Sequence, residues 1–453
     1  MSAYRSAAEY YDEALSLGAE DDAERAQLLN RLARAVSVFD DARAEIALEE
    51  ARDALLATGD QASAANAEAQ LWQLWWHRGD GDKASEHLAR AKELARDLPA
   101  ERALHLHSTI ARQTAFAGDA TEALRLATSA LATAEKLGVP ELQAYNLGTI
   151  GWAKGHLGDV GGLDDLERAY ELALSVSSSG ASGIANNVAV GRWHVEMDLR
   201  GAMVWFIQGL EGAERIGGSS EVFLRTQVAT FHFVLGHWDE AEPIFEALIR
   251  DADAGMPHYL AGDIYRGRAR FREARADTEA ALEDLDRALE FGRGTTDPQQ
   301  FMQHMGTAVL AYETHGRPAE AQALAAELAI VASTEPNTAA WTMPYDFLIS
   351  RASLGFEATL RRSLAESRFE GWRRLALTCL DRDFVAAAEQ WARAGSPTWE
   401  ARLRLRAAEE LDEAGRLPEA EEQAARALDF YRGVDAPYFV RRCEALLARE
   451  ATG

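Results

Sequence analysis

Residues 118–131 read GDATEALRLATSAL, a glycine and an aspartate followed by a stripe of alanine and leucine. A glycine that ends one helix and a polar residue that caps the next are typical of a short turn between helices. Small residues at spacings of three and four let two helices approach closely. Residues 280–289, AALEDLDRAL, carry the same stripe. Both stretches predict a helical hairpin with closely packed helices.

The same turn signal recurs along much of the chain. Equivalent turn positions, 39 or 40 residues apart, are predicted at residues 79, 118, 158, 197, 236, 276 and 316. Two helices of about 15 residues and two short turns fill that length. Regularity over seven units predicts an α-solenoid, in which each unit packs only on its neighbours.

The first helices of several units carry a large side chain four residues before the turn position. Examples are Trp75, Trp193, His232 and Tyr312. This placement resembles the tetratricopeptide pattern, although the family's usual repeat is 34 residues and its proline after the second helix is largely absent here. The resemblance implies an all-α fold, a right-handed α-solenoid of tetratricopeptide-like helical hairpins with a repeat of about 40 residues.

The periodicity weakens after residue 333. Gly355, Arg382 and Gly415 fall off the 40-residue grid, although helical patterns continue. We therefore expect a regular superhelix over residues 1–333 and a less regular helical section over 334–453, packed on the last regular repeat. The first helix reads as the second half of a repeat, which favours a chain cut from a longer protein. The rival interpretation is that residues 1–18 form a natural cap.

Composition disfavours several classes of partner. The 453-residue chain has 73 acidic and 47 basic residues, a formal charge of −26, which disfavours nucleic acids and anionic membrane surfaces. Its two cysteines, Cys379 and Cys443, show no CxxC spacing, so neither a zinc site nor a disulfide framework is expected. Without a signal-peptide pattern or an apolar run of about 18 residues, the chain is predicted to be cytoplasmic.

The sequence lacks the common catalytic and phosphate-binding motifs. The chain contains no GxxxxGK[ST], HExxH, GxSxG or GxGxxG motif. His105 and His107 are two residues apart, so on a helix they point about 200° apart and cannot share one ion. We therefore predict no enzyme activity, no metal and no cofactor.

Candidate binding residues come from the repeat register. In tetratricopeptide folds the first helix of each hairpin faces the concave groove, and the inward positions match those 13, 10, 6 and 3 residues before the turn. Aromatic groups beside arginine, asparagine and histidine suit a recognition surface. The predicted groove residues are Asn66, Gln73, His105, Arg112, Tyr145, Trp152, Asn187, His194 and Phe233.

A second interpretation of these side chains remains open. Large aromatics on such helices also serve as packing between repeats. An error of one residue in the register rotates the assignment by about 100° and exchanges groove for core.

A further resemblance lies in the C-terminal section. Its segments are DFVAAAE (383–389), GSP (395–397), ARLRLRAAE (401–409), GRLPEA (415–420) and ALDFYR (427–432). They resemble the C-terminal region of bacterial multidomain AAA/STAND-type signalling ATPases, which often accompany a class III adenylate cyclase or a DNA-binding output domain. The resemblance implies a tail that senses a ligand or partner and relieves inhibition upstream. This chain contains neither the ATPase nor an output domain, so their activities are not assigned to it.

Together these patterns predict a non-catalytic sensor solenoid. Its groove would recognise a protein segment, a peptide or a small effector and regulate an upstream signalling ATPase or cyclase. The alternative is a structural scaffold for self-association or autoinhibition without a groove ligand, with a homo-oligomer allowed. An enzyme built in a helical cavity is a third hypothesis, but the sequence supplies no set of catalytic residues for it.

Overall fold

All regular secondary structure that the computed structural model describes is helical. The described residues are 2–36, 41–78, 80–101, 103–178, 180–215, 219–254, 260–295, 298–334, 344–367 and 369–448, and they form 24 helices. In chain order these are α1 (Ser2–Leu17), α2 (Asp22–Val36), α3 (Asp41–Ala57), α4 (Gln61–Arg78), α5 (Gly81–Ala95), α6 (Leu104–Phe116), α7 (Ala120–Leu137), α8 (Pro140–His156), α9 (Gly161–Ser175), α10 (Ala181–Glu196), α11 (Leu199–Glu214), α12 (Ser219–Val234), α13 (Trp238–Asp253), α14 (Ala261–Ala274), α15 (Thr278–Thr295), α16 (Pro298–Thr314), α17 (Pro318–Thr334), α18 (Tyr345–Ile349), α19 (Glu357–Ala365), α20 (Glu370–Leu380), α21 (Phe384–Ala394), α22 (Pro397–Glu413), α23 (Leu417–Gly433) and α24 (Pro437–Leu447). The all-α fold of tetratricopeptide-like hairpins is confirmed.

The predicted turn positions adopt one backbone conformation. Position 79 lies outside the described residues, and the other six have a left-handed φ: Gly118 (92°), Gly158 (82°), Met197 (55°), Gly236 (83°), Ala276 (67°) and Gly316 (81°). Glycine adopts this conformation without the steric cost that a Cβ brings. Methionine and alanine adopt it too at their grid positions, so the packing of the two helices imposes the turn even where the residue type opposes it.

Aspartate follows several of these turns and caps the second helix. The carboxylate of Asp119 accepts a hydrogen bond from the backbone N–H of Glu122 at 3.0 Å, and Asp198 accepts one from Gly201 at 2.9 Å. Each bond satisfies one of the N–H groups that a helix leaves unpaired in its first turn. The polar caps predicted from the sequence are therefore present.

The helices form two compact units. Unit 1 comprises Met1–Gly191 and Gln208–Val222, and unit 2 comprises Arg192–Ile207 and Phe223–Gly453. This division concerns compactness, whereas the boundary expected at residue 333 concerns the regularity of the repeat. The expected boundary therefore stays a prediction.

Small residues bring the helices of unit 1 close together. In α7 the buried stripe consists of Ala123, Ala127, Ala130 and Ala134. A close approach joins α8 to α9, where a Cβ on Gly151 would lie 2.6 Å from the carbonyl oxygen of Gly162. Because no side chain tolerates that distance, these two glycines let the helix backbones touch.

In unit 2 the C-terminal helices form hydrogen bonds with the ends of earlier helices. Trp372 Nε1 donates to the carbonyl oxygen of His194 at 3.0 Å, in the last turn of α10. Ser396 Oγ donates to the carbonyl oxygen of Val234, the last residue of α12, at 2.7 Å. These carbonyls have no partner within their own helix. The C-terminal helices thus donate hydrogen bonds to carbonyl groups at helix ends that water would otherwise have to satisfy.

Candidate functional site

The predicted groove residues differ in unit and in exposure. Seven of them, from Asn66 to Asn187, lie in unit 1, whereas His194 and Phe233 lie in unit 2. Gln73 and His105 are exposed; Asn66, Arg112, Tyr145 and Trp152 are half-buried; and Asn187, His194 and Phe233 are 4%, 5% and 6% exposed. Only the exposed and half-buried members, all in unit 1, are accessible to a ligand in this conformation.

Three first helices of unit 1, α4, α6 and α8, share a continuous set of rings and one cation. We call Trp76, Arg112, Phe116, Tyr145 and Trp152 the aromatic–arginine surface. The rings of Trp76 and Phe116 stack with centroids 6.5 Å apart, and Phe116 meets Trp152 edge-on at 6.1 Å. All five side chains are half-buried. The surface therefore spans three hairpins and presents flat apolar area to solvent.

Arg112 lies among the rings of this surface. The guanidinium carbon is 4.9 Å from the centroid of Tyr145 and 5.4 Å from that of Phe116. Beside it, a Cβ on Gly183 would lie 3.3 Å from Arg112 Nη2, so the glycine keeps space open for the guanidinium. Among the described residues, no carboxylate lies within ion-pair distance of Arg112. In the described part of the chain, the groups that face its charge are these two rings, through cation–π contacts.

The other accessible candidates lie on the same helices and add polar groups. Asn66 Nδ2 donates to the carbonyl oxygen of Ala62 at 3.1 Å, within α4. Gln73, also on α4, and His105, on α6, present their side chains to solvent. Of the accessible candidates, Arg112 and Tyr145 are in contact, and the ring of Phe116 links Trp152 to Arg112.

The nine candidates omitted some residues with a role at this surface. Phe116 lies two residues before its turn, one position away from the series used to choose the candidates. Between hairpins, Gln113 Nε2 donates to the carbonyl oxygen of Ala69 at 2.9 Å, and Asn146 Nδ2 donates to Ser108 Oγ at 2.8 Å. Polar residues in otherwise apolar helix faces were the available signal. These bonds hold α4, α6 and α8 in register.

A histidine lies next to Trp152, four residues further along α8. The His156 ring lies 4.4 Å from the Trp152 ring, and burial lowers the pKa of His156 to about 4. The neutral form is therefore the native form at neutral pH. The unfolded chain has a histidine pKa of about 6.5.

We expect His156→Gln to flatten the pH dependence of stability between about pH 6.5 and 4. In that window the unfolded chain binds a proton that the native chain does not, so acidification favours unfolding by up to about 1.4 kcal/mol per pH unit. Urea titrations of both proteins across this range measure the difference. Above about pH 7 the two slopes should coincide, and equal slopes at acid pH would contradict the assignment.

The two candidates in unit 2 are covered by the C-terminal helices. The His194 ring lies 4.4 Å from Trp193 and 6.5 Å from Phe369. The Phe233 ring stacks on Trp238 at 5.1 Å, and Thr398 Oγ from the C-terminal helix α22 donates to the Phe233 carbonyl oxygen at 2.6 Å. The accessible groove that the register predicts is therefore absent at these two positions, because side chains from beyond residue 344 occupy it.

One small cavity lies in this covered part of unit 2. Its volume of about 10 Å³ is the space of a single water molecule. Its lining is Phe233, Trp238, Arg270, Asp346, Thr398, Trp399, Arg402, Tyr431 and Phe439. A space this small is a gap in a packed core and is too small for a peptide or an effector.

A buried ion network borders the cavity. Asp346 accepts from Arg270 at 2.9 Å and lies 2.8 Å from Arg402, which is 3.6 Å from Glu273. Burial opposes ionisation of Asp346, but Arg402 and Arg270 together lower its pKa. The carboxylate is therefore charged and joins two arginines from different helices.

Other kinds of site are not seen in the described part of the chain. No group of three or more His, Cys, Asp or Glu side chains there has the arrangement to hold a metal ion. No described helix is long and apolar enough to cross a membrane. Cys379 and Cys443 are buried thiols, and burial raises the pKa of Cys443 to about 12.

Comparison with known proteins supports the fold. No family model and no curated protein sequence matches the chain. A signal-transduction ATPase with numerous domains (STAND) that carries a tetratricopeptide-repeat sensor, from Pyrococcus horikoshii, has a TM-score of 0.51 at 14% identity, covering 83% of this chain and 56% of that one. At this identity the likeness shows the shared tetratricopeptide-type helical fold alone.

Two further solved structures give lower TM-scores. The apo form of the quorum sensor NprR from B. thuringiensis has a TM-score of 0.43 at 14% identity, over 81% of this chain and 98% of that one. The Rap conjugation gene regulator of plasmid pLS20, in complex with the Phr* peptide, has a TM-score of 0.39 at 12% identity, over 85% and 95%. Scores this low carry no argument about this chain. The fold likeness rests on the STAND protein with its tetratricopeptide-repeat sensor.

Proposed function

We propose that this chain is a non-catalytic binding module and that its aromatic–arginine surface holds a peptide segment. The observation that carries the proposal is the half-buried row of Trp76, Phe116 and Trp152 with Arg112 beside it. The row crosses three hairpins, so a bound segment would contact all three.

The composition of the surface supports recognition. Tryptophan, tyrosine and arginine are the residues that most often dominate binding energy at protein interfaces. The rings of Phe233 and Trp238 in unit 2 are almost fully covered, at 6% and 3% exposed. Those of the aromatic–arginine surface keep part of their area in solvent. That remaining area is what a ligand would bury.

The regulatory role remains part of the proposal. The Rap regulator above was solved with a peptide, and the STAND protein carries its repeats as a sensor. For this chain we propose the same kind of task, with a signalling ATPase as the module that it would regulate. A small effector in place of a peptide is an outcome that the experiment below would reveal. No observation links the chain to an adenylate cyclase, so that link stays a prediction.

The test is a selection of random peptides against the full chain, followed by affinity measurements on the peptides obtained. Peptides that bind wild type should lose at least about tenfold in affinity with Arg112→Ala/Trp152→Ala, because two interface anchors are removed. A matched control is Arg90→Ala/Leu174→Ala, which changes two exposed residues on the second helices α5 and α9. Circular dichroism establishes that each variant is folded.

The outcomes separate the hypotheses. Peptides retained by the control and lost by the Arg112/Trp152 variant support the proposal. Equal binding to all three proteins, or no peptide that competes for this surface, overturns it. A small molecule that co-purifies with wild type and is lost in the variant would place an effector at the same surface.

A scaffold for self-association is the second candidate, and exposed apolar side chains on α1 favour it. Tyr10 is 71% exposed and Leu17 is 81% exposed. Apolar area of this kind is a common contact between copies of a protein. Light scattering of wild type and of Tyr10→Glu/Leu17→Glu decides the matter: an oligomer that the variant lacks supports the scaffold, and a monomeric wild type rejects it.

A further inference from the structure

Two arginines occupy the same position of the repeat in different units. Arg112 lies six residues before Gly118, and Arg270 lies six residues before Ala276. Gly118 and Ala276 are both left-handed turn residues, with φ values of 92° and 67°. The backbone itself therefore establishes the equivalence, without reference to residue type.

The surroundings of Arg270 show what this position can bind. Its guanidinium carbon lies 5.2 Å from the ring of Phe233 and 5.4 Å from that of Trp399. Its Nη2 donates to Asp346 Oδ2 at 2.9 Å. Phe233 belongs to a repeat helix, whereas Asp346 and Trp399 come from the C-terminal helices α18 and α22. The C-terminal section thus supplies a carboxylate and a ring to this arginine.

Arg112 has the rings of such a site and lacks the acid. The rings of Phe116 and Tyr145 beside it both come from repeat helices, α6 and α8, and not from the C-terminal section. Within the described ranges no carboxylate reaches it, and Gly183 leaves space next to Nη2. A half-buried guanidinium gains most from a partner that forks onto it with two charge-assisted hydrogen bonds. The vacant half of the pattern is therefore a carboxylate.

We propose that Arg112 binds a carboxylate of the peptide held on the aromatic–arginine surface, and that the bound segment is acidic at that point. The ion pair between Arg270 and Asp346 within this chain shows the geometry that we expect for the contact. The inference rests on the function proposed above and narrows it to a ligand class. An apolar side chain next to the acid would lie against Tyr145 and Phe116, as Trp399 lies beside Arg270.

The overall charge of −26 gives this contact a role in selection. An acidic segment is repelled by most of the molecule. An ion pair with Arg112 offsets that repulsion only where the carboxylate reaches the guanidinium. The site therefore selects a correctly placed acid and disfavours a generally acidic chain.

The experiment uses peptides selected against the full wild-type chain from libraries with free and with amidated C termini. We expect enrichment of Asp or Glu. Arg112→Gln should weaken an enriched peptide about 10- to 100-fold, the range for a hydrogen bond to a charged group. Replacing its acid by the amide should cost wild type the same factor and cost Arg112→Gln little, which a double-mutant cycle quantifies. Arg90→Gln is the control for a general change of charge.

A charge exchange completes the test. Arg112→Glu should lose the acidic peptide and bind a version carrying Lys in place of the acid. Enrichment only among free-acid peptides would assign the carboxylate to a C terminus, whereas enrichment in both libraries assigns it to a side chain.

The failures are distinct. Peptides that lose affinity with Trp152→Ala but show no acid enrichment and no effect of Arg112→Gln overturn the carboxylate contact and leave the binding surface standing. A selection that yields no peptide sensitive to Trp152→Ala or to Arg112→Ala overturns both the surface and the contact.

Discussion

Asp346→Ala should lower the free energy of unfolding of unit 2 by about 3–5 kcal/mol, the cost of leaving buried charges without their partner. The side chain of Asp346 is 1% exposed. It binds Arg270, lies 2.8 Å from Arg402 and accepts a hydrogen bond from Thr307 at 3.0 Å. Without the carboxylate, two buried guanidinium groups face each other with less opposite charge between them.

Urea denaturation followed by tryptophan fluorescence measures the loss. The matched control is Asp381→Ala, because Asp381 is also paired with an arginine, Arg361, but its side chain is 60% exposed. An exposed pair contributes about 0–1 kcal/mol. Asp346→Asn keeps the size of the side chain and should fall between the two. Equal midpoints for Asp346→Ala and Asp381→Ala would show that the network does not hold the C-terminal helices in place.

Trp372→Ala is expected to cost about 3–5 kcal/mol, the range for a large aromatic truncated in a core. Trp372 is 2% exposed and packs against Trp391 at 5.5 Å and Trp193 at 6.1 Å. Its indole also donates to the carbonyl oxygen of His194. The substitution therefore removes a ring contact between α20 and α10 together with the hydrogen bond that joins them.

Two further variants serve as references for the loss of stability expected in Trp372→Ala. Trp372→Phe keeps a ring but loses the donor, so it should cost about 1–3 kcal/mol for the buried carbonyl left unpaired. Tyr10→Ala removes an aromatic that is 71% exposed and should stay within about 0.5 kcal/mol of wild type. A Trp372→Ala protein as stable as Tyr10→Ala would contradict the packing described for unit 2.

Much of the fold follows from local chemistry. At 118, 158, 236 and 316 a glycine with a left-handed backbone follows the end of a helix. An aspartate such as Asp119 or Asp198 then caps the start of the next helix. These interactions span a few residues, so the sequence shows them directly. Met197 and Ala276 could be found only from the spacing, since neither residue type favours a left-handed backbone.

The candidate site was predictable in part. Arg112, Tyr145 and Trp152 were chosen by counting back from the turns, and the structure places Arg112 beside Tyr145 and joins Trp152 to them through Phe116. Counting works there because a helix repeats its faces every 3.6 residues and the repeats stack in register. Phe116 was missed because it lies one position outside the counted series.

The same counting selected His194 and Phe233, which are buried. The groups that cover them lie far away along the chain: Thr398 donates to the carbonyl oxygen of Phe233 across 165 residues, and Trp372 donates to that of His194 across 178. No periodic signal within a repeat records a partner at that separation.

The amino-acid sequence by itself determined the helices, the turns between them and the side of each helix on which a residue lies, because these depend on short-range hydrogen bonds and on helical periodicity. Only the tertiary structure decided which of those sides are accessible. The exposure of a face depends on whether another segment packs on it. In unit 2 that segment is the chain's own C-terminal section, which brings Asp346 to Arg270. At Arg112, among the described residues, no acid from the chain takes that place.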